Sequence, residues 1–508
     1  MSASLLCETV TGHTTAELVS ARDAASAADL VELRLDGVAA LDVAGALAGR
    51  RTPVVVTCRP TWEGGRFGGS ETERHAVLAR ALALGAEFVD VEWRAWHGDE
   101  RAFADLVSRA PERVVLSAHD FEGVPADLHA QVRDMRGTGA GVIKVAVAAR
   151  RLCDTLPLRD IARDGNAVVI GMGEAGVPSR LLAARYGSRW TYGGNGVAPG
   201  QIPAARMVEE FRFRSVGDQT RLFGVLGATA MHSLSPAMHN AAFAAAGLDA
   251  VYVPLQAADV GDFMEFAAAL GIEGASVTIP FKRDALHAAG RADDLTRQVG
   301  AANTLRRSSP ERPAGGRDGW DATNTDVPGF LEPLERAVGS LAGLRAAVLG
   351  AGGSARAVVV ALLSRGARVT VHARRPEQAG EVTAALGASA GAWPVPPDSW
   401  DLLVNCTPLG GPSLRDESPL PGGPFGGRLV YDLTYGPGES PLVRAAREAG
   451  CLTLDGLPML IAQAQRQFAW WTGRAPAAGV MEQAIEKRRA ASDPVPGTPA
   501  AGGSGAAV

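Results

Sequence analysis

Eight short apolar runs, spaced through the first 216 residues, restrict the fold of this chain more than any other feature. They lie at 4–10, 30–36, 53–59, 87–93, 113–119, 141–147, 166–171 and 188–193. Each is followed by an Ala/Leu/Arg-rich segment with helical periodicity, the last near 203–216. Parallel strands joined by helical crossovers are buried on both faces, which explains runs so continuously apolar. Eight strand–helix units in some 215 residues predict a closed (β/α)8 barrel with its active site at the strands' C-terminal ends.

Several charges fall at that rim, where a purely apolar core could not hold them cheaply. Glu32 and Arg34 share a face of the second strand. Arg59 ends the third, and Glu63 follows in Trp62-Glu63-Gly64-Gly65; His119 ends the fifth, and Arg180 follows the seventh. Singly each has a structural explanation: Asp120 or a carbonyl could satisfy His119, and Glu32 could pair with Arg34. Gathered at one rim they predict a site. Lys144 in the sixth strand sharpens it, because only Lys144, Lys282 and Lys487 among the 50 Lys+Arg are lysine. Where a bare positive charge suffices this chain uses Arg. A lysine inside Gly141-Val-Ile-Lys-Val-Ala-Val147 is therefore either an amine able to attack a carbonyl or a chance lysine that snorkels from a strand end. Val142 and Ala146 share its face, so apolar walls and nearby Arg34 or Arg59 are expected to favour the neutral amine.

A net charge of −5 gives no sign of a nucleic-acid or acidic-membrane partner. The five cysteines are scattered, with no CxxC or zinc spacing, which suits a reducing, cytoplasmic setting and no metal. The N-terminus is too acidic for a secretory signal, and no apolar run reaches membrane-spanning length. Small-molecule substrates are the expected partners; oligomeric state is not encoded here.

Periodicity lapses at 214–221, and Leu222–Gly227 opens a second α/β region. The expected domains are 1–217 (barrel), 218–328 completed by helices from 457–489, 329–456 (Rossmann type), and a disordered tail at 490–508. Residues 306–319 read as a polar loop between short strands. In the Rossmann-type region a strand leads into Gly350-Ala351-Gly352-Gly353-Ser354-Ala355, a G-x-G-x-x-A turn opening a helix. Its glycines allow the turn and the backbone approach to a pyrophosphate. The next strand ends in Ala373-Arg374-Arg375 rather than Asp or Glu, so NADP is favoured over NAD, with Arg374 on the 2′-phosphate. Lys282 closes Thr278-Ile-Pro-Phe-Lys282; Asn303 and Asp326 lie in polar segments downstream, and Ser233 and Ser235 stand at a helix entrance. A Lys with an Asp beside a nicotinamide could handle the proton that accompanies hydride transfer; without the flanking motifs Lys282 would read as a solvated lysine in a Lys-Arg-Asp surface run.

These motifs carry a resemblance. S-x-S-P…H-N, V-T-I-P-F-K, A-N-T, N-T-D, G-A-G-G, N-C-T-P-x-G and M-L-x-x-Q-A occur in order across 222–475. That half resembles shikimate dehydrogenase. E-L-R-L-D, C-R-P-x-W-E-G-G, S-A-H-D-F, K-V-A and A-P-G-Q, over about 4–216, resemble type I 3-dehydroquinate dehydratase. Together they resemble the fused enzyme of the shikimate pathway, in which one domain's product is the next domain's substrate.

The resemblance implies a Schiff base on Lys144, general acid–base work by His119, and Glu63 as its orienting partner. Arg180 would hold the substrate carboxylate, with Glu32, Arg34, Arg59 and Gln201 shaping the pocket. In the second half it implies hydride from NADPH to 3-dehydroshikimate, with Lys282 and Asp326 as the proton-handling pair. Ser233 and Ser235 would bind the carboxylate, and Thr278, Asn303, Tyr435 and Gln463 the rest of the substrate. Thr407, Leu433 and Gly456 would join the glycine turn in holding the cofactor. Val197 departs from the dehydratase pattern, which has Ser there, and Ser276 from the Asn of many dehydrogenases. Three alternatives stay open: quinate as the dehydrogenase substrate, a metabolite-sensing regulator with degenerate domains, and a class I aldolase barrel. The regulator would predict lost catalytic residues, and the aldolase leaves Arg180 and A-P-G-Q unexplained.

Overall fold

A computed structural model describes residues 4–194, 196, 200–308, 319–423, 425–436 and 438–491 except 99, and no side chains at 97–102. Val197, most of the expected 306–319 loop and nearly all of the expected tail lie outside the described residues. The chain divides into two compact units. One comprises Met1–Pro236, Asp249–Asp293 and Ala302–Thr323; the other Ala237–Leu248, Asp294–Ala301 and Asn324–Val508.

The first unit contains the expected barrel. Its strands are β1 (Leu5–Val10), β2 (Leu30–Arg34), β3 (Val54–Thr57), β4 (Phe88–Glu92), β5 (Val114–Asp120), β6 (Val142–Ala148), β7 (Ala167–Met172) and β8 (Trp190–Gly194). All pair in parallel in the order β7-β6-β5-β4-β3-β2-β1-β8. The remaining seam, between β7 and β8, is bridged by Arg189 N donating to Ala167 O at 2.8 Å. Ser188 Oγ tightens it, accepting from Val169 N at 3.1 Å and donating to Trp190 O at 2.8 Å. β3 stops at Thr57, two residues before Arg59, because Pro60 turns the chain out of the ladder. Inward-facing Cys7, Val55, Val115, Val142, Ala146, Ile170 and Tyr192 fill the lumen. Alternate residues such as Leu33, Val56, Leu116 and Val145 pack outward beneath the helices.

A second, mixed sheet belongs to the same unit: β9 (Arg221–Gly227), β10 (Ala250–Gln256), β11 (Ile272–Val277), β12 (Arg291–Ala292), β13 (Thr304–Arg307) and β14 (Trp320–Thr323). Its order is β10-β9-β11-β13-β14-β12. The apolar cluster under the barrel helices runs on into this sheet, through Leu226, Val253, Ile272 and Trp320. The helix Val260–Leu270 makes the polar part of the join. Near its start Asp262, fully buried, accepts from the backbone N–H of Leu152 and of Cys153, each at 3.0 Å, and from Ala258 N at 3.0 Å. At its end, Arg159 donates to Ala269 O at 2.6 Å and Arg185 to Leu270 O at 3.1 Å. Arginines there satisfy orphan carbonyls and complement the helix dipole.

The second unit holds a parallel sheet of β15 (Arg345–Leu349), β16 (Arg368–His372), β17 (Ser389–Gly391), β18 (Leu402–Asn405), β19 (Leu429–Asp432) and β20 (Leu452–Leu454). Its order, β17-β16-β15-β18-β19-β20, is the doubly wound nucleotide-binding pattern. Helices Asp326–Val338 and Leu457–Thr472 pack on each other.

Candidate active sites

The barrel rim is built by strand periodicity. Lys144 stands opposite Ser117 of β5 in the ladder, and His119 opposite Ala146, so lysine and imidazole enter the lumen from adjacent strands. Lys144 Nζ lies 3.1 Å from Asp90 Oδ2, 3.4 Å from Glu32 Oε1, and 4.4 Å from the centroid of the Tyr192 ring. The lysine is 4% exposed. The expected apolar neighbours Val142 and Ala146 do line the lumen, but the expected arginine surroundings need correcting. The nearest charged groups are carboxylates, because inward positions on β2 and β4 carry Glu32 and Asp90.

His119 Nδ1 is 2.8 Å from Glu63 Oε1. Asp120, the partner considered from sequence, instead accepts from the backbone N–H of Glu122 and Gly123. Glu63 reaches His119 because its loop folds tightly back: a Cβ on Gly65 would stand 2.0 Å from Arg59 O. Only glycine fits that approach. Burial pushes the Glu63 carboxyl up to about 8. Burial, then Arg59 and Lys144, hold the His119 imidazole well below its usual range, so it is neutral.

Arg59 organises the carboxylates. Its guanidinium contacts Glu92 Oε1 at 2.8 Å, Asp90 Oδ1 at 3.0 Å and Ser117 Oγ at 3.0 Å. Arg74, reaching in from the helix Glu71–Ala83, pairs with the far oxygen of Glu92. Burial raises Glu92 to about 6. Glu32 is held by Thr9 Oγ1 and Thr57 Oγ1, both at 2.9 Å, and Gln201 Nε2 donates to Thr9 at 3.4 Å. Arg34 does not pair with Glu32; it forks onto Asp36 at 2.8 and 2.9 Å. Arg180, 1% exposed, donates to Tyr192 O at 3.2 Å, and burial lowers its guanidinium to about 10. Sequence reading missed Asp90, Glu92, Ser117 and Arg74. The first two carried a usable signal, being two apart and separated by Val91 in an apolar strand.

Dehydrogenase-type candidates occur in both units. In the first, Ser233 Oγ accepts from the N–H of Ser235, the first residue of the helix Ser235–Ala245. Thr278 leaves β11, Lys282 opens the helix Lys282–Ala288, and Lys282 O accepts from Ala302 N at 2.8 Å. Asn303 O accepts from Val277 N at 2.7 Å, so Thr278, Lys282 and Asn303 gather at the end of β11. Ser276, the departing position, lies 2.6 Å from the Tyr252 hydroxyl, which donates to it.

In the second unit Asp326 opens the helix Asp326–Val338, capped by Asn324 Oδ1, which accepts from Asp326 N at 3.0 Å. Gly329 packs on Gln463: a Cβ there would lie 2.9 Å from the Gln463 Cβ. Gly350 has φ +105 and sits against Cys406, while space is open where a Gly352 Cβ would lie, at the start of the helix Gly353–Ser364. The turn Gly350–Ser354 thus offers a backbone cradle and a helix N-terminus, which fits a dinucleotide pyrophosphate. Thr407 N and Oγ1 bond Asn405 Oδ1 at 2.9 and 2.7 Å. Asn405 in turn donates to Asp432 Oδ1 at 2.9 Å, and Asp432 also accepts from the N–H of Thr434. The loops bearing Thr407, Leu433 and Tyr435 are therefore tied together. Gly456 packs on Leu433 O, and Arg374 is exposed just past β16.

Three family descriptions match the chain: type I 3-dehydroquinase over 6–218, shikimate dehydrogenase substrate binding domain over 225–305, and shikimate 5′-dehydrogenase C-terminal domain over 456–486. The chain is 31% identical over 479 residues to the chloroplastic bifunctional 3-dehydroquinate dehydratase/shikimate dehydrogenase of Arabidopsis thaliana, covering 88% of this chain and 78% of that one. It is 39% identical over 298 residues to the shikimate dehydrogenase (NADP(+)) of Moorella thermoacetica, covering 56% of this chain and 97% of the relative. Among solved structures, dehydroquinate dehydratase and shikimate dehydrogenase from S. pombe AroM matches 95% of this chain and 98% of its own, at 22% identity and TM-score 0.41.

Proposed function

Because the chain belongs to the bifunctional 3-dehydroquinate dehydratase/shikimate dehydrogenase family, we propose that it dehydrates 3-dehydroquinate and then reduces 3-dehydroshikimate to shikimate with NADPH. The observation carrying the first step is a buried lysine one strand from a neutral histidine whose ring nitrogen meets a carboxyl at 2.8 Å. Lys144 condenses with the ketone, and the resulting iminium draws electrons from the neighbouring carbon. His119 Nε2 takes the proton there and returns one to the departing hydroxyl, releasing water. Glu63 fixes the imidazole tautomer. Arg180 pairs with the substrate carboxylate, while Glu32, Arg34, Arg59 and Gln201 bind its hydroxyls and hold the pocket.

For the second step the boundaries 1–217, 218–328 with 457–489, and 329–456 remain our division of the chain. Gly350–Ser354, Thr407, Leu433 and Gly456 hold the dinucleotide, with Arg374 on its 2′-phosphate. NADPH, when bound, supplies the hydride. Ser233 and Ser235 bind the substrate carboxylate; Thr278, Asn303, Tyr435 and Gln463 bind the ring; Lys282 and Asp326 manage the proton. The NADP(+) in the names of several relatives supports this cofactor. Among the described residues no helix is long and apolar enough to cross a membrane; the cytoplasmic placement we propose rests on the five cysteines, all free, which suit a reducing setting. The test is to supply 3-dehydroquinate and NADPH and follow 3-dehydroshikimate and nicotinamide absorbance together. Dehydration without NADPH oxidation would remove the second half of the proposal.

A further inference from the structure

The lumen holds a carboxylate to which the proposed chemistry gives no work. Asp90 is fully buried, and its Oδ2 is the atom nearest Lys144 Nζ among the ion-pair partners, at 3.1 Å. Its other oxygen is occupied, accepting from Ser117 Oγ at 2.6 Å and lying 3.0 Å from an Arg59 guanidinium nitrogen. Both restraints aim Oδ2 at the reacting nitrogen. Glu32 is the rival, but it is farther, at 3.4 Å, and a threonine hydroxyl engages each of its oxygens.

We propose that Asp90 is a further catalytic residue of the dehydratase, the counter-ion that accepts the N–H of the Lys144 iminium and keeps its proton on nitrogen. The inference rests on the Schiff-base reading above. Condensation balances as R–NH3+ + O=CR2 → R–NH+=CR2 + H2O, so nitrogen carries one positive charge before and after. A fixed anion serves both states without moving. When His119 removes the adjacent proton, the electron pair flows onto nitrogen and the charge disappears; it returns when hydroxide leaves as water. An unprotonated imine is a far weaker electron sink, so losing that proton halts the cycle. Although burial acts to raise it, Arg59 and Lys144 hold the Asp90 carboxyl well below the usual carboxylate range. It therefore remains an anion throughout. The other groups facing Nζ are Cys7 on β1, Glu32 on β2, Arg59 after β3, His119 on β5 and the Tyr192 ring on β8, with Arg34 and Glu63 at the rim.

The test compares full-length wild type, Asp90→Asn and Asp90→Glu. Dehydratase kcat and KM are measured across pH, and the Lys144 adduct is trapped by borohydride with 3-dehydroquinate and located by peptide mass. In Asp90→Asn kcat should fall about 100-fold with little change in KM. The alkaline limb of its kcat profile should move down by about one pH unit or more. Asp90→Glu should recover part of both. Trapping should persist at low pH and fade early as pH rises. Dehydrogenase turnover of each sample reports folding; if the Asn variant does not fold, the alkaline limb of Asp90→Glu decides. An alkaline limb identical to wild type, with the adduct still forming, overturns the assignment. Absence of any Lys144 adduct in wild type overturns the Schiff-base reading instead.

Discussion

Single atoms decide the dehydratase chemistry, and the proton between Glu63 and His119 is the clearest case. With Glu63 protonated it donates to Nδ1, so the imidazole hydrogen sits on Nε2 and the base is blocked. With Glu63 ionised, Nδ1–H donates to it and Nε2 carries the lone pair. Burial raises Glu63 to about 8, so the competent form is absent at low pH and appears as pH rises through about 8. Dehydratase kcat should climb through that value, and Glu63→Gln, which cannot ionise, should flatten the climb. Replacing Lys144 with Arg keeps the charge and removes the nucleophile; kcat should drop by roughly 10⁴-fold or more while dehydrogenase turnover is spared. Arg374→Ala should erode the preference for NADPH over NADH by roughly tenfold, read as the ratio of the two kcat/KM values. An unchanged ratio would assign the 2′-phosphate to another group.

At the scale of elements, the strands were legible because parallel strands buried on both faces leave a continuous apolar imprint. Their inward charges were legible in principle by the same period of two, which found Glu32 and Arg34 and should have found Asp90 and Glu92. Arg74 was not, since it lies on a helix whose charged residues look solvated, and its partner Glu92 is 18 positions away. Nor was the choice of Glu63 over Asp120 for His119, which depends on a loop folding back rather than on spacing. That loop gives a sharp test. Gly65→Ala places a Cβ 2.0 Å from Arg59 O, so the backbone must shift and carry Glu63 with it. Dehydration should slow by about 10- to 100-fold, dehydrogenase activity staying near wild type. The glycine turn at 350–353 was legible for the opposite reason: its backbone conformation is written into residue type.

For the molecule as a whole, the first unit shows that the barrel is not a bead on a string. Asp262 satisfies two N–H groups just beyond β6, the strand that carries Lys144. Asp262→Ala would leave buried donors unpaired at a cost of about 3 kcal/mol. The barrel should then inactivate at lower temperature although the substitution lies in the dehydrogenase half; unchanged heat inactivation of dehydration would show the seam to be dispensable. The sequence marked a linker near 214–221 but not this seam, because a lone Asp in an amphipathic helix reads as solvent-facing. The scarcity of lysine has a practical side at this scale too. Lys144 and Lys282 are 4% and 8% exposed, whereas Lys487 on the helix Val480–Ala490 faces solvent. An amine-acylating reagent used on the native fold thus meets one exposed lysine side chain, remote in sequence from both proposed chemistries. A dye, a surface tether or an affinity tag placed on that side chain would compete with the chain's α-amine, whose ordinary pKa is about 8, and Lys487→Arg would show how much label the α-amine takes.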